Sequence, residues 1–133
     1  MQPQNEVSDE ELKKVIADFL AQGHVENIVA MFRREPKYYA WTGEILHDER
    51  FSVRLGVSVL FEELRAIQPD RVALALPSLA GLLQAEEPLW RGEAVSILGI
   101  IGTAEALAQI RLLRDDPSAQ VREMVELVLE ESS

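Results

Sequence analysis

Three arginines, Arg54, Arg91 and Arg122, follow closely on acids at Asp48, Glu86-Glu87 and Asp115-Asp116. Guanidinium groups beside carboxylates support two chemistries. A row of arginines can hold an anionic ligand, or each planar fork can clamp a carboxylate and tie neighbouring elements together. Each arginine recurs beside acids of its own, which favours a structural ladder of Arg54, Arg91, Arg122, Asp48, Asp115 and Asp116. The chain has two histidines, His24 and His47, and neither stands in a His-Glu-x-x-His or other ligand spacing. It has no cysteine, which removes disulfides, thiolate metal sites and a cysteine nucleophile. No glycine-rich phosphate loop occurs, and no serine, histidine and acid are spaced as a triad. The expectation is a protein that is not an enzyme and needs no metal or other cofactor.

Tyr38, Tyr39 and Trp41 crowd together in a chain that is only 6% aromatic. Successive helical side chains point in different directions, so these rings cannot share one face. Some belong to a core and at least one surfaces, where it offers a partner contact.

The elements that position these residues come from one domain's length of chain, 133 residues with 47% hydrophobic content. Met1 to Val7 are polar and expected to fray, leaving residues 8–133 as a single domain. A formal charge of -10 opposes phosphates and anionic lipid. Arg33-Arg34 with Lys37 is the one tight basic cluster and lies among acids, so neither nucleic acid nor membrane is the expected partner. The apolar run from Ala94 to Ile101 is interrupted by Ser96 and Gly99 and is too short to span a bilayer. The N-terminus has no basic region followed by an apolar run, so a cytoplasmic location is expected.

Apolar stripes, caps and prolines predict eight helices and no strand. Ser8 and Glu11 form a capping box for a first helix to about Gln22, stopped by Gly23. A second helix covers Val25 to Arg34. Pro36 opens a third, over Lys37 to His47. The fourth, Phe51 to Ile67, buries Gly56, Val57, Leu60, Phe61 and Leu64 on the face of Val53. Pro69 opens a fifth that bends at Pro77. Pro88 starts the sixth and Gly102-Thr103 ends it. Ala104 to Arg114 form the seventh, and Pro117 starts the eighth. Consecutive helices pair into four antiparallel hairpins.

The end of the chain repeats its middle. Leu82-Leu83, Pro88 and Trp90-Arg91 are answered by Leu112-Leu113, Asp115-Asp116-Pro117 and Val121-Arg122, with the arginines 31 residues apart (122 minus 91). Together with Ala94, Leu98-Gly99 and Ala106-Leu107, this pattern resembles short HEAT-like repeats of the kind found in phycobilin lyase subunits. The fourth helix departs from it, with Phe61-Glu62 where Leu-Gly belongs. The resemblance implies an all-α, right-handed α-solenoid (a superhelix) of about four helical hairpins, of the HEAT and armadillo type. Its concave face would be lined by the second helix of each pair. It also implies alternatives in function, a bilin-handling subunit or a nucleic-acid-binding protein, because this architecture serves many roles.

The faces opposite the core name the candidate binding surface. They hold Leu55, Ser58, Val59 and Glu62 on the fourth helix, and Gly92, Val95 and Ser96 on the sixth. Glu123, Glu126 and Leu127 follow on the eighth. Apolar and small residues there, with carboxylates at one end, suit an amphipathic helix or extended segment carrying basic residues. Packing of Leu55 and Val59 against the preceding hairpin is the competing reading. The expected function is a non-catalytic scaffold whose concave face binds a protein or peptide.

Overall fold

A computed structural model describes residues 7–132, so the expected frayed segment lies, apart from Val7, outside the described residues. The first helix, α1 (Asp9–Ala21), begins where Ser8 Oγ accepts the Glu11 backbone N–H at 3.1 Å. The Ser8 hydroxyl also donates to the Glu11 carboxylate at 3.2 Å, so the cap is shared between these two residues. Such a cap contributes about 1 kcal/mol. Gly23, at φ 85°, turns the chain into α2 (Val25–Arg34). Six further helices follow: α3 (Thr42–Leu46), α4 (Phe51–Ile67), α5 (Leu76–Leu82), α6 (Pro88–Ile101), α7 (Ala104–Arg111) and α8 (Ala119–Glu131). Two 3-10 turns, Pro36–Trp41 and Val72–Ala75, precede α3 and α5. The described residues contain no strand.

The third and fifth elements differ from the sequence expectation. The continuous helix expected over Lys37 to His47 is a 3-10 turn joined to a short helix. The Gly43 N–H goes to Ser78 Oγ at 3.0 Å, and the Thr42 hydroxyl takes the Tyr39 carbonyl at 2.8 Å. The Tyr39 carbonyl and Gly43 amide would have paired in a regular α-helix. Gly43 is essential to this arrangement, because any Cβ there would collide with the Ser78 carbonyl. Pro77, expected as a bend inside the fifth helix, instead lies in the first turn of α5, where its missing N–H has no helical acceptor to lose. Pro117 likewise lies before α8, whose cap is Ser118 accepting the Val121 N–H.

α4 packs between α1 and α6, and α6 between α4 and α8. The row begins with α1, whereas the hairpin scheme placed the second helix of each pair there. Gly56 explains the fit: a Cβ at that position would stand 2.8 Å from the Leu20 backbone oxygen, so α1 and α4 meet backbone to backbone. Gly99 makes room for a side chain between α6 and α8, where an added Cβ would be 2.5 Å from Val128 Cγ1. The other helices cover the row, with α3 against α4 and α5, and α7 against α6 and α8.

The buried apolar residues form one cluster running through these helices. Its largest fully buried side chains are Phe32, Tyr39 and Phe61, whose rings meet edge to face at centroid distances of 5.0, 6.1 and 6.4 Å. Such contacts add about 1 kcal/mol per pair beyond area burial. Tyr39 is fully buried, with its hydroxyl donating to Gln68 Oε1 at 2.8 Å, and burial pushes its phenol up to about 12. It is therefore a core residue and not the partner contact expected for it. Tyr38 and Trp41, one 3-10 turn apart, are half-buried with ring centroids 5.0 Å apart. Lys37 Nζ stands over both rings, and Lys13 Nζ is also over Trp41.

Candidate functional site

The arginines set the helices of the row in register. Each is the fourth residue of its helix: Arg54 in α4, Arg91 in α6 and Arg122 in α8. Arg54 Nη1 donates to the Asp48 and Glu49 carbonyls, both at 2.9 Å. Arg91 Nη1 donates to the Ala85 and Glu86 carbonyls, both at 2.8 Å. Arg122 Nη1 donates to the Asp116 carbonyl at 2.6 Å. In each case the acceptor lies five or six residues upstream, in the turn leading to that helix, so one geometry recurs three times.

The remaining guanidinium nitrogens reach forward. Arg54 Nε meets Glu93 on α6 at 2.7 Å, and Arg91 holds both oxygens of Asp116 at 2.8 and 2.9 Å. This corrects the expected partners. The carboxylate of Asp48 is taken by Arg50, at 3.1 Å to both Nε and Nη2, and not by Arg54. Asp115 makes no bond in the ladder, and Arg122 meets the backbone of Asp116 instead of a carboxylate. Glu93 is the residue the sequence reading missed. It lies two residues beyond Arg91, and a local charge pattern cannot reveal that its partner comes from α4. The Arg91 fork holds the Asp116 carboxyl below its usual range, and the Ser118 N–H at 2.9 Å adds to this.

Above this ladder α4, α6 and α8 border two adjoining recesses. The first has a volume of 360 Å³, and Phe51, Leu55, Leu89, Gly92 and Met124 give it an apolar lining. Phe51 is 65% and Leu55 52% exposed, so both present side chain to solvent. The Arg54–Glu93 pair forms one wall, with the guanidinium carbon 5.6 Å from the Phe51 ring centre and 5.8 Å from that of Trp90. Gly92 keeps the α6 side low: a Cβ there would meet nothing within 4 Å. Ser58 and Ser96 connect this recess to a second one of 750 Å³, which Glu62, Arg65, Leu127 and Glu131 also line. The groove is thus apolar at one end and carries two carboxylates, Glu62 and Glu131, beside Arg65 at the other.

The structure brings together Leu55, Ser58, Glu62, Gly92, Ser96 and Leu127 from the expected surface. Val95 is fully buried and belongs to the core. Val59 and Glu123 are exposed but line neither recess, and Glu126 faces a third recess between α7 and α8, which shares Leu107 and Ser132 with the second. Phe51, Leu89 and Met124 were missed. Phe51 precedes Leu55 by four residues and Leu89 precedes Gly92 by three, so both continue the same stripes one turn upstream.

Neither histidine faces this groove. His24 lies edge-on to Phe19, with ring centroids 5.8 Å apart, and His47 lies edge-on to Trp90 at 4.3 Å. No helix among the described residues is long and apolar enough to cross a membrane. No protein-family model, curated protein or solved structure matches this chain.

Proposed function

We propose that this chain is a non-catalytic binding module that captures an amphipathic helix or extended segment of another protein in the groove across α4, α6 and α8. The single observation that carries this reading is the groove's composition. Exposed Phe51, Leu55 and Leu89 surround an open glycine floor at one end, and Glu62 and Glu131 stand at the other. Apolar anchors of a ligand would fill the first recess, while its basic residues would meet the carboxylates. In the same reading the molecule is a short right-handed HEAT-like solenoid of about four hairpins. The bond from an arginine Nη1 to the carbonyl six residues upstream, shared by α4, α6 and α8, supports that repeat.

A labelled leucine–lysine amphipathic helical peptide serves as the probe, read by fluorescence anisotropy. Leu55→Glu should weaken its binding by at least roughly tenfold, because the change places a charge among apolar anchors. The melting temperature should stay within a few degrees of the parent, since Leu55 is exposed. Unchanged affinity would remove the groove from the binding surface, and unfolding would make Leu55 a packing residue.

A further inference from the structure

The ladder stops at Arg122. Arg54 and Arg91 each reach a carboxylate of the following unit, but among the described residues no carboxylate pairs with Arg122. Its guanidinium borders a recess of 760 Å³ between α7 and α8, lined also by Arg111, Arg114, Asp115, Glu126 and Leu129. Arg111 and Arg114 have no carboxylate partner among the described residues, and Asp115 and Glu126 have no cation. Three arginines without a carboxylate within ion-pair distance among the described residues stand on this face beside three carboxylates, Asp115, Glu126 and Glu130. An ion of one sign does not satisfy such a face. A surface with both signs is complementary to itself.

Arg122 and Glu126 are four residues apart and therefore neighbours on α8. Arginine stands N-terminal to glutamate, the less favourable order for pairing within a helix, and the two do not pair. A two-fold axis perpendicular to α8, passing outside the helix level with the point between them, would bring Arg122 of one copy to Glu126 of the other, and do so twice. Leu107 and Leu129, which also line this recess, and the nearby Leu112, at 80% exposure, would supply apolar surface.

We propose that the α7–α8 end joins a second copy of this chain in a symmetric dimer, with the two α8 helices antiparallel and paired through Arg122 and Glu126. This recess shares Leu107 and Ser132 with the second recess of the groove, but Arg122 and Glu126 line neither part of the groove, and their pairing does not depend on its function. Sedimentation velocity over a concentration series should show reversible dimerisation of the parent chain. Arg122→Glu and Glu126→Arg should each raise the dimer dissociation constant by roughly tenfold or more, and the double swap should restore it. Arg122→Glu also loses the bond to the Asp116 carbonyl, so melting curves accompany each variant. If Arg122→Glu unfolds, Glu126→Arg, which loses no bond among the described residues, carries the test alone. A parent that stays monomeric at every concentration overturns the proposal. So does a dimer indifferent to both single changes, or a double swap no better than either. A monomer that binds a polyglutamate peptide through Arg111 and Arg114 assigns the recess to a different acidic partner and also overturns it.

Discussion

Arg91→Met tests whether the arginine ladder holds the helices together. Methionine keeps most of the arginine stem's bulk and removes its five donors. Four bonds go with them, two to Asp116 and two to the Ala85 and Glu86 carbonyls. The arginine side chain is 12% and the Asp116 side chain 5% exposed, so the stranded carboxylate gains little from water. Removing one partner of a buried ion pair costs about 3–5 kcal/mol. The Ser118 N–H still supports Asp116, which places the expected loss near the lower end, at about 3 kcal/mol. With an unfolding entropy of about 2.1 cal/mol/K per residue, a chain of 133 residues should melt roughly 10 °C lower. Circular dichroism melting reads this directly. Adding Asp116→Asn to Arg91→Met should recover part of the loss, because no charge then remains buried alone. A drop of less than about 3 °C for Arg91→Met would show a solvent-screened pair worth about 1 kcal/mol or less, and not one that holds the helices together.

Three further outcomes follow from the same geometry. Asp116 has a lowered carboxyl pKa, chiefly through Arg91, so its contribution is present above the unfolded value of about 3.9 and disappears as pH falls through the lower folded value. Denaturant titrations should show that loss below about pH 4 in the parent and less of it in Arg91→Met. Gly56→Ala should destabilise by about 1–3 kcal/mol in urea titration, because the new Cβ meets the Leu20 backbone, which cannot move without shifting α1. Tyr39→Phe should cost about 1 kcal/mol in the same assay by removing the hydrogen bond to Gln68.

Where burial is one-sided, the sequence was legible. α4 shows it: Gly56, Val57, Leu60, Phe61 and Leu64 are all buried, as their spacing predicts. α6 shows the limit. It packs against α4, α5, α7 and α8, so the face opposite its first contact is covered too, and Val95 is buried there. A helical wheel assumes one wet side, and α6 has little of one. The break between Trp41 and Thr42 was illegible for another reason, since it depends on Ser78, 35 residues from Gly43 in sequence. Of the candidate site, the apolar and small character of Leu55, Gly92 and Ser96 was readable, because such residues are unusual on an exposed stripe. Phe51 and Leu89 stand in first turns, where a stripe has only begun, and their part in the groove became visible once α4 and α6 were placed side by side.

The most direct test of the groove is Gly92→Leu. The position is helical and opens into the apolar recess, and an added Cβ meets no atom within 4 Å, so a leucine there projects into the ligand's space. Replacing glycine inside a helix favours folding by about 0.5–1 kcal/mol, so the variant should melt at or slightly above the parent temperature. Isothermal titration with the leucine–lysine peptide, beside a melting curve, reads binding and stability on the same material. The variant should be as stable as the parent, with affinity reduced by at least roughly tenfold. A stable variant that binds the peptide as the parent does would contradict the groove as the site of capture.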